Sequence, residues 1–275
     1  MKIVILLLAT LLSATGCEKS SEAPTSQSQH PQPHSREETL STPEQPGGVY
    51  TEQGFIESVR NGDAATVTLF LNAGISPNAK ESTGQTALVA AAAACHADIV
   101  RLLLDRGAAL DPQDGLGAQL LHDAAAKGQR DLIQTLLRKG VDVNVQDSVG
   151  YTALMRAAEE GQADAVRVLI AAGANINASE IHGYSSLMWA VVKGKNNTAQ
   201  VLVDSGADVN AREKKRNWTA LMMAAVKGDA EMVELLLAKG ADTKLTDTNG
   251  ATALAAAQKS ANAETIQLLE QTEAR

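Results

Sequence analysis

The chain has 275 residues, a formal net charge of −8 and an aromatic content of only 3%. An acidic chain has no general electrostatic attraction for DNA, RNA or anionic lipid, so we expect no nucleic-acid partner. The length allows one large domain or two ordinary ones.

The N-terminus has the pattern of a secretory signal over residues 1–16. A positive start precedes an apolar run from residue 3 to residue 12, which is too short to remain in a membrane as a span. The Ala-Thr-Gly-Cys that follows resembles the lipobox of bacterial lipoproteins, in which the cysteine, here Cys17, is lipidated and becomes the first mature residue. Ordinary cleavage is the alternative, because Ala14 and Gly16 also fit a small-x-small site.

Residues 17–50 have the composition of a disordered tether behind that cysteine. Five of the seven prolines lie here, and Ser, Gln, Thr and Glu supply most of the rest. Such a segment buries too little apolar surface to offset the entropy lost on ordering. We therefore expect an exported protein held by a lipid anchor to the outer membrane and facing the periplasm. It would be soluble in the periplasm if Cys17 is not lipidated.

A period of 33 residues dominates the remaining chain. Six glycines are separated by 33, 33, 33, 33 and 34 residues, and a leucine series keeps the same interval. The glycines are Gly74, Gly107, Gly140, Gly173, Gly206 and Gly240. This regularity indicates one supersecondary unit copied along the chain. Stacked units form an extended surface, which favours binding over catalysis.

Residues 146–178 show the unit most clearly. Gly150 suits a tight turn, and Thr152 suits the N-cap of a helix. Apolar residues at helical spacing follow up to Gly161, and a second amphipathic segment ends at Gly173. The unit is predicted to be turn, helix, helix and loop.

The unit resembles the ankyrin repeat, with its Gly-x-Thr-Pro-Leu-His start, Ala-Ala pair and Gly-Ala-Asp-x-Asn end. The starts here read GQTALV, GAQLLH, GYTALM, GYSSLM, NWTALM and GATALA, and three ends read GVDVNV, GANINA and GADVNA. The resemblance implies an all-α solenoid over residues 51–275, with about seven units and short β-turn fingers. The repeats are expected near 52–80, 81–112, 113–145, 146–178, 179–211, 212–245 and 246–273.

Departures from the family pattern carry further expectations. The usual proline is missing, so helix starts should depend on the Thr or Ser cap and on packing. His122 occupies the family's histidine position and is expected to be a hydrogen-bonded structural residue between repeats. Asn217 replaces a turn glycine, which is tolerable because asparagine visits the left-handed region. The first repeat and the polar last repeat are expected to be caps.

Cys95 also departs from the pattern, because it replaces the glycine between the two helices of its repeat. If Cys17 carries lipid, an internal disulfide is not possible. A reactive or intermolecular thiol at Cys95 is one interpretation. A small residue that fills a turn is the other, and it is favoured.

Three aromatic residues share one position in consecutive repeats. Tyr151, Tyr184 and Trp218 each stand between the turn residue and the capping Thr or Ser, and the spacing predicts a continuous stripe. Val149, Ile181 and Leu116 add apolar side chains at the predicted tips. Aromatic anchors of this kind dominate protein interfaces. Packing of the turn is the alternative role for these rings.

The sixth repeat is one residue longer, and its finger carries four basic residues in an acidic chain. An acidic protein patch or an anionic ligand is one interpretation of this finger, and a solvated loop is the other. In register, Arg156 and Trp189 are expected either to form a cation–π pair or to leave Trp189 partly buried between helices, which is favoured. The predicted partner-binding residues are Val149, Tyr151, Glu160, Ile181, His182, Tyr184, Lys193, Lys215, Arg216, Trp218 and Lys227.

No catalytic motif is present in the sequence. Its Cys and His spacing does not suit zinc, and it contains neither a phosphate-binding Gly-x-x-x-x-Gly-Lys nor a Gly-x-Ser-x-Gly. We expect a monomeric, non-catalytic protein-binding scaffold tethered in the bacterial envelope, with no cofactor, metal or catalytic residue. Two alternatives remain open. One is an immunity-type inhibitor of an exported toxic or hydrolytic enzyme, and the other is stress or redox protection through Cys95.

Overall fold

The computed structural model describes residues 51–111 and 115–274, which form fourteen α-helices in seven antiparallel pairs. The predicted signal, the lipidation of Cys17 and the tether lie outside the described residues. Within the described ranges, no helix combines the length and apolarity that crossing a bilayer requires.

Neighbouring pairs pack first helix on first helix, except at the junction of the second and third pairs, and they pack second helix on second helix throughout. The first helices are α1 (Glu52–Asn61), α3 (Ala87–Ala93), α5 (Leu116–Ala126), α7 (Ala153–Glu160), α9 (Ser186–Lys193), α11 (Ala220–Lys227) and α13 (Ala253–Ser260). The second helices are α2 (Ala64–Asn72), α4 (Ala97–Asp105), α6 (Arg130–Arg138), α8 (Ala163–Ala171), α10 (Asn196–Asp204), α12 (Ala230–Ala238) and α14 (Ala263–Glu273). This stack confirms the predicted all-α solenoid.

From α5 to α13 the first helices approach one another more closely than the second helices do. The buried alanines on the first helices, among them Ala125, Ala158 and Ala225, are small enough to allow this approach. The repeated leucines lie in the core between neighbouring pairs, where Leu121, Leu154 and Leu187 are fully buried. In the last repeat Leu254 is only partly buried, as suits a unit with one neighbour.

Hydroxyl side chains begin most of the first helices, as the sequence predicts. Each accepts a hydrogen bond from the backbone N–H three residues further on, a contact that stabilises a helix by about 1 kcal/mol. The caps of α3, α7, α9, α11 and α13 are Thr86, Thr152, Ser185, Thr219 and Thr252.

The third pair departs from this pattern because its sequence has no Thr or Ser at the cap position. Its first helix, α5, begins at Leu116 after Gly115, which has a φ of 71° and makes no side-chain cap. Leu116 therefore lies in the helix and packs against the core. The expectation that Leu116 stands at an exposed finger tip is wrong.

Asparagine side chains connect the loops that follow the second helices. The Oδ1 atom of Asn144 accepts from the N–H of Asn175 at 2.7 Å, and its Nδ2 donates to the carbonyl of Gly173 at 3.3 Å. Asn78, Asn177 and Asn210 make the same pair of bonds to their next repeat. These bonds satisfy loop backbone groups that no helix pairs, and they fix the interval between repeats.

Three described residues, Cys95, Asn217 and Ala261, hold left-handed turns that glycine holds elsewhere. Cys95 has a φ of 59° and Asn217 a φ of 57°, which confirms both predicted turn positions. Cys95 also takes part in a further interaction. The reactive or intermolecular thiol at Cys95 stays a prediction.

Candidate binding surface

A carboxylate organises the finger of each of the last four repeats, and in the fifth and sixth repeats it is buried. Glu180 accepts hydrogen bonds from the N–H groups of His182 and Tyr184 at 2.9 and 3.0 Å, although its side chain is almost fully buried. Asp147, Glu213 and Asp247 act in the same way in their own fingers. An ionised acceptor makes a stronger hydrogen bond than a neutral one, so each carboxylate holds its tip in one conformation.

Successive fingers are also hydrogen-bonded to each other through the backbone. The N–H of Ile181 donates to the carbonyl of Val149 at 3.1 Å, and the N–H of Lys214 donates to the carbonyl of His182 at 2.8 Å. Gly183 makes the second approach possible, because a Cβ there would lie 2.9 Å from the backbone nitrogen of Lys214. The tips therefore form one ordered edge rather than four independent loops.

Trp189, on α9, contacts both tyrosines at the base of this edge. Its ring centroid lies 5.4 Å from that of Tyr151 and 5.2 Å from that of Tyr184, both in tilted geometry. The predicted stripe is wrong in its arrangement, because Trp189 joins the two tyrosines while Trp218 has other contacts. The guanidinium carbon of Arg216 lies 5.3 Å from the centroid of the Trp218 ring, and the Nε1–H of Trp218 donates to Asp247 at 3.4 Å. We call Tyr151, Trp189 and Tyr184 the aromatic cluster.

Arg156, on α7, lies over Tyr151 rather than over Trp189. Its guanidinium carbon is 4.2 Å from the Tyr151 centroid, and its Nη2 donates to Asp147 at 3.0 Å. The less favoured interpretation, a pairing of Arg156 with Trp189, is therefore wrong, because the carboxylate of Asp147 draws the guanidinium toward its own finger. The favoured alternative, a partly buried Trp189, is confirmed.

Burial raises the pKa of the Tyr151 phenol, and the neighbouring carboxylate of Glu159 raises it further. Burial likewise raises the pKa of Tyr184, followed by the effect of Glu213. Both groups are therefore neutral at physiological pH and keep an O–H that can donate to a partner. The cluster combines large apolar faces with polar edges, as protein-binding aromatic residues commonly do.

Charges at the ends of the first helices are largely engaged within the array. The Nζ of Lys193 lies 3.0 Å from a carboxylate oxygen of Glu159, whose side chain is only 9% exposed. Lys227 donates to the carbonyl of Val192 at 3.3 Å and so interacts with the C-terminal end of α9. Glu160 is exposed and takes part in no ion pair between described residues.

The predicted tip residues differ in exposure. Ile181 is 52% exposed, and His182 and the basic residues Lys215 and Arg216 are exposed as well. Val149 is half-buried beneath the neighbouring finger, as are Tyr151, Tyr184 and Trp218 within their repeats. The structure thus brings most of the predicted positions to one edge of the molecule, beside the first helices.

Sequence reasoning did not assign Arg156, Glu159 and Trp189 to the site. Arg156 and Trp189 occupy equivalent positions on successive first helices, which a column-by-column alignment of the repeats already shows. The sequence did not indicate that Glu159 is buried, since an adjacent pair such as Glu159 and Glu160 is common on an exposed helix. Its burial follows from Lys193 and Arg156, which reach it from two helices.

The described residues show little that suits chemistry. No group of three or more His, Cys, Asp or Glu side chains among them could hold a metal ion. His122 donates to the carbonyl of Val145 at 3.1 Å, which confirms its structural role between repeats, and His96 bonds the carbonyl of Arg60 at 2.9 Å. The depressions in the surface are open grooves between second helices, such as the one between α4 and α6.

A family model described as ankyrin repeats (three copies) matches residues 55–147, 121–213 and 210–274. Together the matches extend from the first described helix to the last. The chain belongs to the ankyrin-repeat family. This membership agrees with the helix-pair solenoid and with the turn fingers, three of which are marked by isolated β-bridges. No protein of curated function matches the chain.

Ankyrin repeats are protein–protein interaction scaffolds, and this ankyrin-repeat chain is therefore a scaffold of that kind. Its repeats are not equivalent, however. The aromatic cluster, the exposed isoleucine and the long basic finger all lie in the fourth to sixth repeats. Membership of the ankyrin family accounts for the stacked helix pairs. Which partner is bound depends on the particular residues that this chain exposes on the stack.

Proposed function

We propose that the chain is a non-catalytic scaffold, tethered in a bacterial cell envelope, that binds a protein partner through the fourth to sixth repeats. The observation that carries this proposal is the aromatic cluster, which stands beside the exposed side chain of Ile181. Aromatic side chains and apolar residues grouped on one surface are typical of interface hot spots. The first helices and the finger edge together form the contact surface.

The cluster is already ordered before a partner arrives. Trp189 is held between two tyrosines, and Tyr151 is held by Arg156, which is in turn bonded to Asp147. Side chains that are fixed in advance lose less rotamer entropy on binding, which leaves more of the contact energy as affinity. Packing and recognition are therefore compatible roles for the same rings.

The proposed tether is supported by the sequence. The apolar run at residues 3–12, the small residues before Cys17 and the Pro-rich segment behind it fit a lipoprotein that holds its folded part away from a membrane. A Cys17→Ser variant, expressed in the native cells, should lose incorporation of labelled palmitate and move from the membrane fraction to the soluble one. Unchanged labelling and fractionation would reject the anchor.

Affinity capture of the full-length protein from its own cells tests the binding surface. The Tyr151→Ala/Tyr184→Ala variant and the milder Ile181→Asp variant should each recover the wild type's principal partner at least about tenfold less, since an interface hot spot costs 2 kcal/mol or more. Ile181 is exposed, so its substitution leaves the fold intact and guards against loss by unfolding.

The matched control is Leu69→Asp, which changes an apolar side chain of 57% exposure in the first repeat. It should capture as much partner as the wild type. If the Ile181 and tyrosine variants also capture a wild-type amount, the partner binds elsewhere and the proposed surface is wrong.

A further inference from the structure

The finger of the sixth repeat has a charge that the rest of the molecule lacks. Residues 212–218 carry four basic side chains and one carboxylate, a net charge of +3 in a chain of net charge −8. Arg212, Lys214, Lys215 and Arg216 are all exposed. None of the four lies in an ion pair with a carboxylate of the described residues, whereas Arg60, Arg101 and Lys239 do.

The one carboxylate of this finger is not available to neutralise it. Glu213 is 3% exposed and accepts hydrogen bonds from the N–H groups of Lys215, Arg216 and Trp218 at 2.7, 2.5 and 3.3 Å. The oxygens of this buried acid face the backbone of the tip, so the cationic side chains project around it. The finger is thus fixed in shape and uncompensated in charge.

Two of the cations are positioned by their surroundings. The guanidinium of Arg216 lies 5.3 Å from the Trp218 ring, which restrains a planar group that binds carboxylates through two parallel hydrogen bonds. Lys214 donates through Nζ to the carbonyl of Ile181 at 3.3 Å. That bond places the exposed isoleucine directly beside the basic finger.

We propose that this edge binds an acidic segment of the protein partner, with its carboxylates on Lys215 and Arg216 and an apolar side chain on Ile181. The proposal rests on the proposed function and names the chemistry of what the scaffold recognises. An anionic membrane fits the same cations less well. The finger charge is screened within about 10 Å, and the surrounding acidic chain would be repelled by a broad negative surface. A narrow peptide segment can meet the finger alone.

Fluorescence anisotropy of the full chain with a synthetic peptide tests this inference. The probe is a short labelled peptide in which Glu and Asp flank one Leu, and its counterpart carries Gln and Asn instead. The Lys215→Gln/Arg216→Gln variant should bind the acidic peptide about tenfold more weakly than the wild type, as expected for the loss of two charge-assisted contacts. Raising the salt from about 50 to about 200 mM should weaken wild-type binding too.

The control Lys139→Gln/Lys244→Gln removes the same charge from exposed loop positions and should bind like the wild type. The inference is overturned if both double variants lose the same affinity for the acidic peptide, or if the wild type binds both peptides equally well. Binding to phosphatidylglycerol vesicles but to neither peptide would overturn it as well. Capture from cells separates it from the proposed function. If partner recovery depends on Ile181 and the tyrosines but not on Lys215 and Arg216, only this inference fails.

Discussion

His122 is held between the third and fourth repeats by a single hydrogen bond and is only 8% exposed. Its Nε2–H donates to the carbonyl of Val145, a bond that the neutral and the protonated ring can both make, so it is burial that favours the neutral ring. Burial lowers the pKa of His122 below its ordinary value of 6.5, and the opposing effects of the Val145 carbonyl and Asp147 are smaller. The residue therefore links the stability of the array to pH.

The direction of that link follows from where the proton binds. Below pH 6.5 the unfolded chain protonates this histidine before the folded chain does, so the free energy of unfolding falls as the solution is acidified. We expect the urea midpoint to decrease between about pH 7 and about pH 5. Carboxylates whose pKa is lowered, such as Asp63 and Asp204, act at lower pH, around their ordinary value of 3.8.

A His122→Asn variant removes the titrating ring together with its hydrogen bond to the carbonyl of Val145. It should be less stable at pH 7 by about 1 kcal/mol, the typical value of one hydrogen bond, and its midpoint should change less with pH. His182→Asn, at an exposed tip, is the control and should keep the wild-type slope. A His122→Asn slope equal to the wild type's would show that another group is responsible.

At this scale the sequence predicts positions better than contacts. The register of the repeats correctly placed His122 between repeats and Trp189 partly between helices. It did not place the guanidinium of Arg156, because the choice between Tyr151 and Trp189 depends on a rotamer that Asp147 selects in three dimensions. Side-chain partners of this kind are not encoded in spacing.

Each of the last four fingers is an element whose shape depends on one carboxylate. In the longest finger Glu213 bonds three N–H groups, including that of Trp218 five residues away. The extra residue of this repeat is accommodated inside that turn, where Asn217 takes the left-handed conformation. The finger therefore has a defined tip despite its length.

Removing the Glu213 carboxylate should loosen this finger while leaving the helices in place. We expect Glu213→Ala to lower the free energy of unfolding by about 2–3 kcal/mol, because three backbone N–H groups lose a charged acceptor. The amide hydrogens of Lys215, Arg216 and Trp218 should exchange faster with solvent. Lys215→Ala is the control and should leave both stability and exchange nearly unchanged. Equal exchange in wild type and Glu213→Ala would show that the acid does not order the tip.

The helices themselves were largely predictable, because the Thr and Ser caps and the stop residues recur at fixed intervals. The exception is α5, which begins at Leu116 without a side-chain cap. Its repeat has Gln119 where the others have Thr or Ser, so the usual starting point is lost and the helix extends toward Gly115. The burial of Glu180 and Glu213 was not recognised from the sequence, because an acidic residue in a turn has the same sequence context whether its side chain is exposed or buried.

At the scale of the whole described array, one repeat in the middle differs from the others in its polar groups. The buried side-chain atoms that lack a hydrogen-bond partner among the described residues belong to Ser186, Trp189, Asn196 and Thr198. All four lie in the fifth repeat, where unpaired polar groups reduce stability. The same repeat supplies Trp189, Tyr184 and Ile181 to the proposed contact surface. The fifth repeat thus contains more unpaired buried polar side chains than the other described repeats, and we expect it to contribute less to stability.

Hydrogen–deuterium exchange of the full-length protein, alone and with the partner captured from its own cells, tests the central claim most directly. The account predicts slower exchange on binding in the fingers at residues 147–151, 180–184 and 213–218 and at the ends of α7 and α9, with the first and last repeats unchanged. Protection confined to the second helices, or to the first two repeats, would contradict it.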